Sequence, residues 1–224
     1  MDWQLISLIL LSLAPLALTL QHSVNTSGLG LTITQTLNYT ADGGTSREVT
    51  VPVGKAGTLT TRTDNNTGTA TLVSGHGITT GAKVDIYWDG GVQYNVTVGT
   101  VAGLSVPFDL GIGDNLPIAT TAIVMALRVQ VNADIDGDAL SLLAVKQHYD
   151  QANETAISHI DFQDSANDEI EELDLAANVP RTINVAAGDT NIFSGDPITK
   201  FFVSNGSVTN AARLQLLALY DSTP

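Results

Sequence analysis

Apolar and polar residues alternate along most of the chain, in short stretches separated by Gly, Asn and Asp. Val84, Ile86 and Trp88, for example, are every second residue of one such stretch, and polar residues or Tyr stand between them. A two-residue period places alternate side chains on opposite faces of an extended strand. Because turn-forming clusters such as 64–66 (DNN) and 89–91 (DGG) follow the stretches, the pattern predicts antiparallel hairpins.

The second half of the chain continues the pattern with longer stretches. Residues 122–131 and 139–149 predict two long strands, joined as a hairpin across residues 134–138. Residues 165–176 (SANDEIEELDLA) permit either a short helix or an acidic loop that leads into a strand. Further strands are predicted within 181–188, 198–207 and 212–222. We therefore expect an all-β fold, an antiparallel β-barrel or β-sandwich with at most one short helix.

The N-terminal region differs from the rest because it is almost continuously apolar. Residues 5–20 read LISLILLSLAPLALTL, a run of about 16 residues that has the length of a signal-peptide core and is short for a membrane span of about 20. No Lys or Arg precedes it, and Asp2 stands where a signal peptide carries positive charge. Three interpretations stay open: a segment buried at a subunit interface, an uncleaved export signal, or a membrane anchor.

The alternation at the end of this run favours the first interpretation. Pro15 disfavours a helix there, and the leucines that follow it recur at every second position, as in a strand. The predicted interface residues are Leu5, Leu8, Leu16, Leu18 and Leu20. The predicted division of the chain is therefore an apolar interface segment (1–23), a β domain (24–115), and a second β domain or a continuation of the same sandwich (116–224). One domain or two remain possible.

Charge and cysteine content exclude several classes of partner. The chain has 23 acidic and 9 basic residues, a formal net charge of −14, and 12 of the acids lie between residues 130 and 175. Such a charge opposes binding to nucleic acid, which needs clustered Lys and Arg. The chain contains no Cys, so that thiolate metal sites, catalytic cysteines and disulfides are all excluded.

One run of residues has the spacing of metal ligands. Asn132, Asp134, Asp136 and Asp138 alternate like the first ligands of a calcium-binding loop. The twelfth position of such a loop is a Glu, and here it is Leu143. We therefore expect a solvated hairpin turn and no functional metal site, with weak calcium binding as the alternative.

The sequence offers little support for catalysis. The four histidines lack metal-ligand spacing, and neither a G-x-S-x-G nucleophile motif nor a phosphate-binding loop is present. Carboxylate pairs could serve a glycosidase, but aromatic residues make up only 5% of the chain. We expect a protein that is not an enzyme, with no catalytic residues, no cofactor and no small-molecule substrate.

A family resemblance enters at residues 74–84, SGHGITTGAKV. Together with the strands around it, to about 68–112, this run resembles a small β-barrel module of virion and tail proteins of tailed bacteriophages, which is typified by His-Gly-hydrophobic-x-x-Gly-x-x-Val. In this interpretation the glycines permit a tight turn, His76 ties the turn with a hydrogen bond, and Val84 begins the next buried strand. Ala82 departs from the pattern, because an acidic residue is common there.

The resemblance implies a non-catalytic structural protein of the virion, as a capsid decoration, head-associated or tail component. Its partners would be other copies of the chain and other virion proteins, with β-sheet and N-terminal contacts between them and no membrane. The alternative is a secreted or surface-attached bacterial adhesin, located outside the cell or at its surface. A carbohydrate-active enzyme ranks third.

Overall fold

The structure is a computed structural model that describes residues 18–21, 36–39, 43–111, 116–149, 155–193 and 196–220. Within these ranges the protein is all-β, with one 3-10 turn at Val185–Ala187 and no α-helix. The predicted fold class is confirmed, since both a barrel and a sandwich are present. No described residue belongs to a helix with the length and hydrophobicity needed to cross a bilayer.

Sixteen strands are formed by the described residues. In chain order they are β1 Leu18–Gln21, β2 Thr36–Tyr39, β3 Gly43–Val51, β4 Lys55–Arg62, β5 Thr67–Leu72, β6 Lys83–Trp88, β7 Gly91–Val98, β8 Ser105–Asp109, β9 Ala122–Leu127, β10 Val129–Ile135, β11 Leu140–Tyr149, β12 Ser158–Gln163, β13 Glu169–Leu175, β14 Arg181–Asn184, β15 Ile198–Asn205 and β16 Ala212–Tyr220.

Six strands close into an antiparallel barrel in the order β4-β5-β8-β7-β6-β9. Its core is built by the alternation noted in the sequence: Val84 and Ile86 are fully buried, and Trp88 packs against the same cluster. Leu59 and Met125, from β4 and β9, complete the centre of the barrel. The turns predicted at 64–66 and 89–91 connect β4 to β5 and β6 to β7.

The other large unit is a sandwich of two four-stranded antiparallel sheets, β10-β15-β12-β13 and β14-β11-β16-β3. Both sheets contribute to a second apolar core, in which Phe162 packs against Phe193 and Phe201 with ring centroids 5.1 and 5.8 Å away. Leu214 and Leu216 of β16 enter this core from the opposite sheet. The sandwich is therefore held by an apolar layer of its own, separate from the core of the barrel.

The barrel is inserted into the sandwich along the chain. Strand β3 pairs with β16 in the sandwich, the chain then forms the whole barrel from β4 to β9, and β10 returns to the sandwich. The predicted division at 115/116 falls between β8 and β9, inside the barrel segment. Two connections therefore link the units, one after β3 and one at Arg128 between β9 and β10.

Two local predictions were wrong. Residues 122–131 form two strands instead of one, because the chain leaves the barrel at Arg128. Residues 134–138 do not close a hairpin, since β10 pairs with β15 whereas β11 pairs with β14 and β16. Alternation shows that each segment is half-buried, but the same alternation is compatible with any partner strand.

The open alternative at 165–176 is decided in favour of a strand. Strand β13 pairs with β12, and Leu173 and Leu175 are buried while Glu172 and Asp174 are exposed. Buried and exposed residues therefore alternate along this segment as in a strand, although its many acids are also compatible with the first turn of a helix.

The N-terminal strands β1 and β2 form a separate two-stranded antiparallel sheet. Leu18 is opposite Tyr39, and Leu20 is opposite Leu37, which places these four residues on one face. The extended conformation predicted for Leu18 and Leu20 is confirmed, whereas the predicted interface residues Leu5, Leu8 and Leu16 lie outside the described residues.

Candidate functional site at the junction of the barrel and the sandwich

A buried ionic centre joins the two units. The Arg128 side chain is only 3% exposed and lies between the carboxylates of Asp85, on β6 of the barrel, and Asp161, on β12 of the sandwich, which are both fully buried. Its Nη2 donates a hydrogen bond to Asp161, its Nε lies 3.6 Å from Asp85 Oδ1, and its guanidinium lies 5.0 Å from the centre of the Phe202 ring. One cation thus contacts a carboxylate from each unit.

Each carboxylate has one further donor. The backbone N–H of Asn95 donates to Asp85 Oδ1 at 2.8 Å, and the Gln163 amide donates to Asp161 Oδ2 at 2.8 Å. Asp85 Oδ2 and Asp161 Oδ1 are buried and accept no hydrogen bond from the described residues. One guanidinium therefore lies between two buried carboxylates, and such a set adds little net stability while it is intact, because the cost of desolvation offsets the attraction.

Next to the ionic centre, an imidazole and a phenol stack across the junction. The rings of His159 on β12 and Tyr94 on β7 are nearly parallel, with centroids 3.5 Å apart. Tyr94 donates its hydroxyl to Asp174 Oδ1 at 2.7 Å, and His159 Nδ1 lies 3.0 Å from the same oxygen. Glu172 Oε1 is 3.4 Å from His159 Nε2. Burial and the hydrogen bond to the Asp174 carboxylate both raise the pKa of Tyr94 above its ordinary range.

Tyr87, the neighbour of Tyr94 across the hairpin, also spans the junction. Its hydroxyl is 2.7 Å from the Ser204 hydroxyl on β15, and its ring meets that of Tyr94 edge to face at 6.3 Å. Burial and the nearby Asp85 carboxylate raise the pKa of Tyr87 well above the ordinary value. Both phenols are therefore neutral hydrogen-bonding groups at physiological pH, and neither is poised as a base.

A cleft of about 400 Å³ opens beside these rings, between the β6–β7 turn and the loops that flank β12 and β15. We refer to it as the junction cleft. Its side-chain walls are Tyr87, Trp88, Val92, Tyr94 and Ile157, and glycines of the two units provide the remainder together with Ala156. None of the described residues that line it carries a charge, and half of the Ile157 surface is exposed.

The sequence did not reveal this junction, although one signal was present. Arg128, Asp85 and Asp161 are each flanked on both sides by apolar residues within a strand-like stretch. Alternation places Asp85 opposite the apolar face of its strand and indicates no partner for it, whereas all three side chains are buried where the two units meet. An isolated charge inside an apolar stretch is the feature that could have marked them, because buried charges occur in partnered sets.

The turn that carries the family resemblance has the geometry expected from its residues. The backbone N–H of Ile78 donates to His76 Nδ1 at 3.1 Å, and His76 Nε2 lies 3.1 Å from the carbonyl oxygen of Gly103. The neutral Nε2–H tautomer satisfies both contacts. Gly77 and Gly81 have φ values of +72° and +79°, which favour glycine. His76 thus ties the turn, as predicted, and Val84 begins a buried strand.

The candidate calcium ligands are divided between a strand and a turn. Asn132 and Asp134 lie on β10, where the Arg47 guanidinium of β3 donates to the Asn132 carbonyl at 2.7 Å and pairs with the Asp134 carboxylate at 3.0 Å. In the turn that follows, Asp136 Oδ1 accepts the backbone N–H of Asp138 at 3.1 Å. Much of the alternating pattern therefore serves contacts within the chain.

Gly137, in the same run, is explained by a close approach of two backbone segments. A Cβ on Gly137 would lie 2.1 Å from the backbone oxygen of Asp196, so that only glycine permits this approach. Across the described ranges, no group of three or more His, Asp or Glu side chains is arranged to hold a metal ion. The absence of a functional metal site stays a prediction, with weak calcium binding at Asn132, Asp134, Asp136 and Asp138 as the alternative.

Comparisons with known protein families, with curated proteins and with solved structures found no match to the chain. Its function is therefore argued from its own residues.

Proposed function

We propose that the chain is a non-catalytic structural subunit of a tailed-phage virion, which assembles with other copies of itself and with other virion proteins. The observation that carries the assembly part is the isolated sheet of β1 and β2. Among the described strands, neither of these two is hydrogen-bonded to the barrel or the sandwich. A two-stranded hairpin is marginally stable in water by itself, so a further surface is needed to cover it.

The composition of that hairpin indicates the kind of surface. Leu18, Leu20, Leu37 and Tyr39 share one face, and the strongly apolar residues 5–17 precede it. Burial of each large aliphatic side chain is worth about 1.5–3 kcal/mol, which favours contact with another apolar surface over exposure to water. A neighbouring subunit provides such a surface in an assembly.

The virion part of the proposal rests on the resemblance at residues 74–84. The hydrogen bonds of His76 and the positive φ values of the glycines around it support a common turn design. The junction formed by Arg128 suits a structural subunit, because one buried cation connects the barrel to the sandwich. Neutral phenols and a charge centre closed to solvent give no group there an evident catalytic task.

Deletion of residues 1–20 tests the proposal. We expect the full chain to form an oligomer or to bind phage particles, and the shortened chain to keep its β-rich circular dichroism spectrum while losing both properties. Leu18→Ser with Leu20→Ser should have the same effect in the full chain. Leu217→Ser, at a 36% exposed position on the sandwich, is the matched control and should assemble normally.

Two outcomes would contradict the proposal. A stable monomer at micromolar concentration, with no affinity for phage particles, would remove the assembly role. A native chain that starts near His22, or a fraction that floats with lipid, would favour the export or anchor interpretation and with it a surface-attached bacterial protein.

A further inference from the structure

We propose that the junction cleft is the docking site for the apolar N-terminal segment, residues 5–17, of a second copy of the chain. This inference rests on the proposed assembly function and deepens it, because it names both partners of the contact. It follows from the chemistry of the cleft, from the residue types of the segment and from the end of the sandwich at which β3 begins.

The cleft is suited to an uncharged, apolar occupant. The molecule has a net charge of −14, yet the described residues that line this depression are all uncharged. The hydroxyls of Tyr87 and Tyr94 are already bonded to Ser204 and Asp174. Since their polar ends are occupied, the two phenols present mainly their ring carbons, and Trp88 and the half-exposed Ile157 extend the same surface. Burial of such a patch favours contact with another apolar group.

Residues 5–17 match these requirements. They read LISLILLSLAPLA, without a charged residue, and they are followed by the extended strand β1. In an extended segment, alternate leucines project from one face about 6.8 Å apart. A cleft of about 400 Å³ is within the size range of sites that bury several apolar groups.

The path of the chain favours a second copy as the source of the segment. Strand β3 begins at Gly43 and runs towards the junction, where Gly54 donates its N–H to the carbonyl of Ser207, next to the cleft residue Gly206. The eight steps from Gly43 to Val51 place the start of β3 about 26 Å from that end at about 3.3 Å per residue. The N-terminal region thus joins the sandwich at the end remote from its own cleft, and for the residues next to β1, such as Leu16, this favours the cleft of a second copy.

The absence of cysteine from the chain allows a direct test. Two single variants, Leu16→Cys and Ile157→Cys, are purified separately, mixed and oxidised under mild conditions. We expect a disulfide-linked dimer that contains one chain of each variant, identified by mass spectrometry. Leu104→Cys replaces Ile157→Cys in the matched control, because Leu104 is similarly exposed, at 44%, but lies at the end of the barrel opposite the β6–β7 turn.

The outcomes separate this inference from the proposed function. Cross-linking at Ile157→Cys well above that at Leu104→Cys supports docking in the cleft. An oligomer without this preference overturns the docking site and leaves the assembly role intact. A disulfide within one chain of the double variant Leu16→Cys with Ile157→Cys, in a dilute monomer, would mean that each chain fills its own cleft. A chain that is monomeric throughout contradicts both proposals.

A second measurement does not depend on cysteine chemistry. Ile157→Glu adds a charge to a half-exposed position, so the fold should tolerate it, while the charge should repel an apolar occupant. We expect the apparent dissociation constant of the oligomer to rise at least tenfold, with no change for Leu104→Glu. Equal effects of the two variants would overturn the docking site.

Discussion

Removal of the Arg128 guanidinium should destabilise the protein by about 3–5 kcal/mol, the cost of breaking a buried ion pair by deleting one partner. Arg128→Met keeps most of the side-chain volume but leaves Asp85 and Asp161 fully buried without a cation. Each carboxylate then retains a single neutral donor. The loss is a large fraction of the roughly 5–15 kcal/mol that stabilises a typical folded protein.

Urea unfolding, followed by circular dichroism and by tryptophan fluorescence, measures this loss. The substitution Trp3→Phe leaves Trp88 as the single tryptophan. Trp88 packs on the barrel core and in this background reports on the barrel side of the junction, whereas circular dichroism reports on both units. If Arg128 couples the units, the two signals should coincide in the native protein and separate in the variant. Arg213→Met is the surface control: its pair with Glu48 spans 3.9 Å between half-exposed side chains, and such pairs contribute about 0–1 kcal/mol.

A second control distinguishes the loss of the attraction between Arg128 and the carboxylates from the cost of leaving two buried carboxylates without a cation. The triple variant Arg128→Met, Asp85→Asn and Asp161→Asn removes all three charges, and it should recover most of the stability that Arg128→Met loses. A loss below 1 kcal/mol in Arg128→Met would refute the reasoning. So would a triple variant that is less stable than the single one, because the carboxylates would then not be the source of the cost.

Three further changes are expected to alter stability. His76→Ala deletes both hydrogen bonds that tie the barrel turn, and urea unfolding should show a loss of about 1–3 kcal/mol because a buried N–H is left unpaired. Gly137→Ala forces a Cβ against the Asp196 backbone and should cost about 1–3 kcal/mol whether or not calcium is present; full rescue by calcium would indicate a metal site instead. Burial and the Glu172 carboxylate raise the pKa of Glu169, so the folded state binds this proton more tightly and the associated stability is lost as pH rises. Glu169→Gln should therefore raise the melting temperature at pH 7 and leave it unchanged at a pH below the ordinary pKa of a carboxyl group. An equal gain at both pH values would contradict this assignment.

The alternation of residue types was sufficient to predict the strands, because burial of one face imposes a two-residue period directly on the sequence. Val84 and Ile86 show this in the barrel, and Leu214 and Leu216 show it in the sandwich. The hydrogen bond from Ile78 to His76 was also predictable, since it joins residues two positions apart beside glycines that permit the turn, whereas the second contact of His76, with Gly103, is 27 residues away. Features determined within a few residues can be read from one sequence.

Strand partners and the junction could not be predicted, because they depend on residues far apart in the chain. The connection between β10 and β11 has the turn chemistry of a hairpin, yet it crosses from one sheet of the sandwich to the other. Asp85 and Asp161 have the sequence pattern of solvated residues, and only the insertion of the barrel between β3 and β10 brings them to a common arginine. The candidate site is therefore a product of topology and not of any local motif.

The edges of the sandwich sheets help to decide where another copy can attach. Strand β13 is an edge strand whose seven residues include Glu169, Glu171, Glu172 and Asp174, so that pairing with a second acidic chain is opposed by like charges. Charged edge strands are a common protection against sheet-to-sheet association.

The edges of β3 and β10 are occupied from within the chain. The side chains of Arg47 and Thr45 donate to the carbonyls of Asn132 and Asp134 across the gap between these two strands. The remaining sandwich edge, β14, has only four residues. Assembly through extended pairing of sandwich strands is therefore unfavourable. The apolar residues 5–17 and the uncharged described lining of the junction cleft, by contrast, add no like charges to the contact proposed between two copies with a net charge of −14.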